Sequence, residues 1–493
     1  MLALARLKPR LDILRVFRAG MDTEDLFLLV HLYALISSGI EKKEAIDLIS
    51  REEKIYRKIS KILRFVSILT RKWGYDTIFT LVIASKRVRK TFIKDFLERL
   101  SQIVGSGADL ALFLRNEIES SLITFVNQFD KIFEAARVLF SLFSTFMSAS
   151  VFMLSNIVII AMLLGGGDHL AIISTIGLLL SLVALGIVVI TMMPRDPIAV
   201  SGSKNDKIIN RYALLSILLG LSLFTIAYTI YPYMMILPIL MLSLPMIFMG
   251  RLILRIEAKL MRYDDMFPVF TRSLGHILSV VPDMGQGIKV IMRGSLGILE
   301  PNIVLLKRRL SLRIQLERAW NMMLDEIGSR ICLFSGKVML QTFLYQGDVK
   351  GIGKMLGDIM SSINDLRKKR IQIAKAFEST LLMLHLLVSA ILGLISSLVS
   401  LFSYILGLTE QRIISITPIS SETVFIINMI TIIAVAIVNG LVARASYPGS
   451  IKGAVYHIGI MLALGWIVYT VSNNTLMAII ENMLGELKIP VTP

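Results

Sequence analysis

The chain has 493 residues, 55% of them hydrophobic, and a mean hydropathy of +0.71, too apolar for a soluble globular protein, while its 18% charged residues exclude a chain wholly immersed in lipid. A net charge of +17 and an isoelectric point of about 9.8 point to an anionic partner, whether lipid, nucleic acid or protein. The single cysteine, Cys332, excludes an intrachain disulfide and a cysteine-based metal cluster.

The N-terminal MLALARLKPRLDILRVFRAG carries Arg or Lys every few residues and lacks an apolar core of signal-peptide length, so residues 1–138 are expected to form a cytoplasmic domain. Within it, Asp22 is placed to cap a helix that ends at Ser38-Gly39, and Ser50 with Glu53 reads as the capping box of the next. Over 86–104, Val88, Phe92, Phe96, Leu100 and Ile103 recur every three or four residues, which predicts one amphipathic helix. No strand-like alternation persists. The expectation is a bundle of roughly four or five antiparallel helices whose last member, from Asp109, runs on into the membrane.

A bilayer core of about 30 Å needs about 20 helical residues. By that measure 139–167 and 170–193 form a transmembrane hairpin (139–193), followed by a cytoplasmic loop (194–211). The uncharged run 212–250 is too long for one span, and Tyr231-Pro232-Tyr233 marks where it folds into a second hairpin, with Pro238 and Pro245 in its second helix. A second helical domain (251–378) follows, then three spans (379–407, 423–443 and 453–472) and a tail (473–493). The predicted fold is therefore all-α, a polytopic membrane protein with seven transmembrane helices and two cytoplasmic antiparallel helical bundles. Lys and Arg gather on one side of these spans, which places both bundles inside and the tail outside.

The two bundles read as copies. Asp25 and Phe27 match Asp265 and Phe267, Gly105 and Leu114 match Gly347 and Leu356, and Glu134 and Glu378 each stand just ahead of an apolar span. One homologous helical module on a membrane stalk has been used twice.

Little in the chain can do chemistry. Gly353-Lys354 is the nearest approach to a phosphate-binding loop, but Asp348 stands where its first glycine belongs and Met355 where a magnesium-binding hydroxyl is needed. His31, His169, His276, His385 and His457 never fall at metal-ligand spacing. His385 and His457, inside predicted spans, are expected as neutral imidazoles hydrogen-bonded between helices. No catalytic, cofactor-binding or metal residue is assigned. Glu134 and Glu378 are expected at the domain–membrane junctions, either paired with a nearby Lys or Arg or packing the two copies together. Three basic clusters are the candidate partner-binding residues: Lys86, Arg87, Arg89 and Lys90; Lys307, Arg308 and Arg309; Arg367, Lys368, Lys369 and Arg370. Anionic headgroups or an acidic protein face suit them; nucleic acid does not, because no aromatic residues are interleaved.

An apolar helix, a Ser-Gly or Pro-Asp turn and an Ala-Ile or Gly-Ile helix recur at 35–46 and 274–288, each leading towards a span. This order resembles the type II secretion system F domain family, the integral membrane platform proteins of type IV pilus-like machines. The extra spans, Met193-Pro194-Arg195-Asp196-Pro197, and Val438-Asn439-Gly440-Leu441 ahead of His457 look like its archaeal branch, which serves the archaellum and adhesive pili. The resemblance covers 21–472. It implies a non-enzymatic, cofactor-free, dimeric cell-membrane platform that couples a cytoplasmic hexameric ATPase to the assembly of pilin- or archaellin-like filament subunits, with the archaellum favoured over the adhesive pilus. The alternative, a transporter or channel subunit, calls for inverted repeats and polar residues converging mid-membrane, whereas these copies run parallel.

Overall fold

The computed structural model describes residues 20–53, 55–56, 59–88, 91–164, 167–231, 235–408 and 420–486. Arg89, Lys90, the Gly165-Gly166 turn, Pro232-Tyr233 and the end of the tail lie outside the described residues. Within them there are sixteen α-helices and no β-strand. The first five are α1 (Thr23–Ser37), α2 (Lys42–Arg51), α3 (Ile59–Arg71), α4 (Thr77–Arg87) and α5 (Thr91–Ser106); then come α6 (Leu110–Leu164), α7 (Gly167–Met192), α8 (Lys204–Ile230) and α9 (Ile236–Val280). After these lie α10 (Met284–Ile291), α11 (Glu300–Ser311), α12 (Leu316–Ile327), α13 (Arg330–Leu344), α14 (Val349–Leu408), α15 (Ser421–Ser446) and α16 (Ala454–Glu486).

Local signals account for most boundaries. The Asp25 carboxylate accepts from the Asp22 backbone N–H at 2.7 Å at the start of α1, and Gly39, with φ of +84°, takes the left-handed turn that ends it. Ser50 differs from expectation. It lies inside α2 because its hydroxyl donates back to the Asp47 carbonyl at 2.7 Å rather than accepting at a helix start. The apolar stripe over 86–104 is likewise divided, since α4 ends at Arg87 and Val88 is extended; Ile93, Phe96, Leu97 and Leu100 form the buried face of α5.

Among the described residues seven helices are long and apolar enough to cross a membrane, and every span expected from the sequence falls on one of them. The chain is thus a multi-pass membrane protein. Three spans run on well past the roughly 20 residues that a bilayer requires: α6 has 55 residues, α9 has 45 and α14 has 60. Neither α6 nor α14 contains an internal proline to break it.

The chain divides into two compact units. The first joins the described residues up to Ile132 with Pro197–Asp206 and Glu257–Lys369, so both segments read as copies contribute to one unit. Of the positions matched between the copies, Phe27, Phe267, Leu114 and Leu356 are all fully enclosed, whereas Asp25 is buried and Asp265 exposed. The loop 197–206 belongs here too. Arg330 N–H donates to the Ile198 carbonyl at 2.9 Å and Val200 N–H to the Gly328 carbonyl at 3.1 Å, so an isolated β-bridge of Ala199 with Ser329 pins the loop. Gly328, at φ of +68°, turns the chain between α12 and α13 to make that edge available.

The second unit contains Phe133–Asp196, Lys207–Ile256 and the chain from Arg370 onward. In lipid the hydrophobic effect does not drive helices together, so contacts form where small residues allow close approach. A Cβ on Gly440 would lie 2.8 Å from the Ile458 backbone nitrogen, and one on Gly250 would lie 2.6 Å from that of Tyr456. Phe140 and Phe377 stack with centroids 3.8 Å apart. Polar side chains tie the helices as well: the His385 Nε2–H donates to the Met461 carbonyl at 3.0 Å, as an interhelical neutral imidazole should.

Replacing Gly440→Leu is expected to destabilise the purified protein by on the order of 1–3 kcal/mol through overpacking. Gly177→Leu, with open space around it, should leave the melting temperature unchanged. Thermal unfolding in detergent compares the two.

Candidate docking surfaces and the groups that hold them

The basic clusters meet different fates. Lys86 and Arg87 are exposed at the end of α4, Arg87 lying over the Phe65 ring at 4.2 Å. Lys307 and Arg308 are exposed on α11, while Arg309 is bound to Glu326. The run at 367–370 is split by the helical period. Arg367 and Arg370 are buried and spent internally; Lys368 and Lys369 are exposed, Lys368 at 3.3 Å from Asp265 and Lys369 at 2.5 Å from Asp130. A surface partner thus has access to only the two lysines of this cluster.

In the first unit, Arg367 Nη1 meets Asp264 Oδ2 at 2.6 Å with both side chains enclosed. Ser329 donates to the other carboxylate oxygen, the Cys332 thiol does so at 3.3 Å, and the Asn364 amide holds the Asp264 backbone carbonyl at 2.6 Å. This node joins α9, α13 and α14 at the residue that forms the bridge to the 197–206 loop. Burial pushes the Cys332 thiol up, reinforced by the neighbouring Asp264 carboxylate, so it is a protonated, unreactive core group.

A second node joins the segments read as copies. His31 on α1 has Nε2 at 2.5 Å from Gln341 Oε1 on α13, and Nδ1 at 3.2 Å from the Tyr56 hydroxyl. A carbonyl oxygen can only accept, so Nε2 carries the proton, and Nδ1 competes with the Phe27 carbonyl, also at 3.2 Å, for the single Tyr56 hydroxyl proton. The Gln341 amide in turn donates to Glu52 at 3.3 Å, which Lys337 approaches at 3.5 Å. Phe27, Tyr56 and Phe334 pack around this chain, with Phe27 and Phe334 centroids 5.4 Å apart, and Arg330 binds Glu24 beside them. Burial drives the His31 pKa from 6.5 to about 4, with Lys337 acting in the same direction and the Gln341 bond opposing it.

In the second unit, Glu378 accepts from the Tyr447 hydroxyl at 2.5 Å and lies 2.8 Å from His457 Nδ1. Arg370 donates to the carbonyls of Pro194, Ala445 and Ser446 at 2.8–2.9 Å, and Arg444 to that of Ser450. Glu378 therefore meets a histidine 79 residues away, with the Arg444 cation close enough to act on it. The apolar pattern around His457 offered no sign of that carboxylate. Glu134 is exposed and makes no ion pair among the described residues. Among those residues no group of three His, Cys, Asp or Glu side chains is arranged to hold a metal.

A long-helix, seven-span architecture with a composite polar unit is the ground for comparison with known proteins. The chain is similar to flagella accessory protein J. It is 23% identical to that protein of Methanocaldococcus jannaschii over 492 residues, covering 94% of this chain and 85% of the relative. It is 25% identical to flagella accessory protein J of Methanococcus voltae over 386 residues, covering 72% of this chain and 66% of that relative. No family profile and no solved structure matches the chain. The similarity to flagella accessory protein J includes both units, since 94% coverage leaves neither out.

Two stability measurements test the nodes. Arg367→Met should destabilise the protein by about 3–5 kcal/mol because it strands the Asp264 carboxylate, and adding Asp264→Asn should recover much of the loss; denaturant titration reports both. The unfolded chain protonates His31 near 6.5 and the folded one near 4, so stability falls as pH drops through that window, by up to about 1.4 kcal/mol per unit. His31→Gln should flatten the wild-type pH dependence between 6.5 and 4.

Proposed function

We propose that this chain is the integral membrane platform of an archaellum-type filament machine, receiving work from a separate cytoplasmic ATPase and passing it to filament subunits. Similarity to flagella accessory protein J along 94% of the chain is the observation that carries this reading. The architecture supports it physically. A platform that receives force needs stiff connections and a head that does not come apart under load. The unbroken helices of 55 and 60 residues suit the first need, and the enclosed nodes at Asp264 and His31 suit the second.

In this reading the first unit lies in the cytoplasm, and its exposed cations, Lys86 and Arg87 on α4 and Lys307 and Arg308 on α11, meet an acidic face of the ATPase. Lys368 and Lys369 contribute to the same surface or to anionic headgroups. The platform acts as a dimer, with pilin- or archaellin-like subunits as its substrates and no cofactor of its own.

Charge reversal provides the test. The double variants Lys86→Glu/Arg87→Glu and Lys307→Glu/Arg308→Glu should each weaken co-purification with the hexameric ATPase of the same machine while leaving membrane insertion intact. Retention of full binding by both variants removes these clusters as the docking surface. Solute flux through proteoliposomes containing the chain alone would favour a transporter instead.

A further inference from the structure

In the second unit the exposed faces of α8 and α9 change character along their length. On α8, Leu221, Leu218, Leu214, Arg211 and Lys207 recur every three or four positions and are all exposed, so they form one stripe that passes from aliphatic to cationic. On α9 the stripe Leu244, Phe248, Arg251 and Arg255 makes the same change in the opposite chain direction. Lys207, Arg211, Arg251 and Arg255 make no ion pair among the described residues. The neighbouring acid, Asp206, accepts from the Gly202 N–H at 2.9 Å.

The two basic ends lie at one level. A Cβ on Gly220 would lie 2.8 Å from the Leu242 carbonyl oxygen, so α8 and α9 touch there. Arg211 stands nine residues before Gly220 and Arg251 nine after Leu242, which puts both about 13.5 Å from the contact at 1.5 Å per residue. The start of α16 marks the same level from another side. Lys452 Nζ donates to Asn210 Oδ1, and four residues on the Tyr456 hydroxyl accepts from Arg251 Nη1 at 3.3 Å. That bond engages one of the five N–H donors of the Arg251 guanidinium.

Depth identifies the neighbour. Arg211 and Arg251 are each three residues from the last exposed apolar side chain of their stripe, Leu214 or Phe248, a rise of about 4.5 Å; Lys207 and Arg255 are each seven away, about 10.5 Å. The polar layer on either side of a bilayer's hydrocarbon core is about 5–8 Å thick. Both arginines therefore stand at headgroup depth, with aliphatic stripes beneath them along the acyl chains.

We propose that the basic end of the α8–α9 pair is a binding site for anionic phospholipid, its headgroup phosphates met by Arg211 and Arg251, with Lys207 and Arg255 adding charge behind them. Guanidinium forks match phosphate oxygens with paired hydrogen bonds, and cations just outside a span draw anionic lipid to them. A soluble protein segment would have to enter the headgroup layer to reach the arginines, and free phosphate would leave the aliphatic stripes unused. The site is independent of the platform reading, and neither falls with the other.

The test titrates the purified full chain in detergent with phosphatidylglycerol and with phosphatidylcholine, counting bound lipids by native mass spectrometry, with melting temperature as the check on folding. Wild type should bind phosphatidylglycerol roughly tenfold or more tightly than phosphatidylcholine, and Arg211→Gln/Arg251→Gln should lose that preference. Lys207→Gln/Arg255→Gln alters side chains with no hydrogen bond or ion pair among the described residues, so it keeps the fold and should weaken the preference as well. Lys42→Gln/Lys43→Gln, which removes the same charge from exposed positions on α2, should retain it. Equal binding of the two lipids by wild type, or a preference that survives both stripe variants, overturns the proposal. So does an equal loss in the Lys42/Lys43 variant, which would reduce the effect to net charge. Displacement of phosphatidylglycerol by inorganic phosphate would make this a free-anion site, and stripe variants that keep the lipid preference but lose binding to the ATPase would make it a protein contact; either overturns the lipid assignment.

Discussion

The hydrogen bond from His31 to Gln341 is the constraint on which the first unit turns. It joins side chains 310 residues apart, inside a sheath of Phe27, Tyr56 and Phe334, where burial keeps the imidazole neutral. Both partners are obliged to keep the bond, because a buried donor or acceptor without a mate costs about 1–3 kcal/mol. The geometry of α1 against α13 is thereby fixed more sharply than apolar packing alone would fix it, since each polar atom accepts few orientations. Glu52 and Lys337 continue the line to the surface, where water supplies what the protein does not.

Asp264 and Arg367 do the same at another point of the unit, with a larger penalty for separation and an additional tie. Because Ser329 binds the carboxylate and forms the bridge with Ala199, the loop that connects α7 to α8 is registered against the same ion pair. Membrane-spanning segments are thus joined in sequence to a loop that has lost its freedom to wander. Within the first unit, order comes from these enclosed polar ties.

Much of this was legible in the chain itself. Helical character, the apolar spans and the ends of α1 followed from periodicity, length and the Asp22 and Gly39 signals, which are local and respond to no distant residue. The capping box at Ser50 misled because a serine hydroxyl donates back to its own helix as readily as it caps another. The basic run at 367–370 showed its charge but not its helical phase against α9 and α15, which puts two arginines inward and two lysines outward. The pairing of Glu378 with His457, and of His31 with Gln341, was invisible for the same reason: each partner is ordinary in its own neighbourhood and acquires meaning only through tertiary contact. The exposure of Trp73, Tyr75 and Phe79 was not legible either, because an amphipathic bundle buries most such residues and only the tertiary packing leaves these three at its surface.

The composite make-up of the first unit carries a consequence for biosynthesis. Its opening segment leaves the ribosome well before α13 exists, and four membrane-spanning stretches are made in between. Throughout that interval the face of α1 bearing Phe27 and His31 has no native partner, which is the condition under which nascent chains invite chaperones or aggregate. The first unit therefore closes only after the four membrane-spanning stretches that precede α13 have been synthesised.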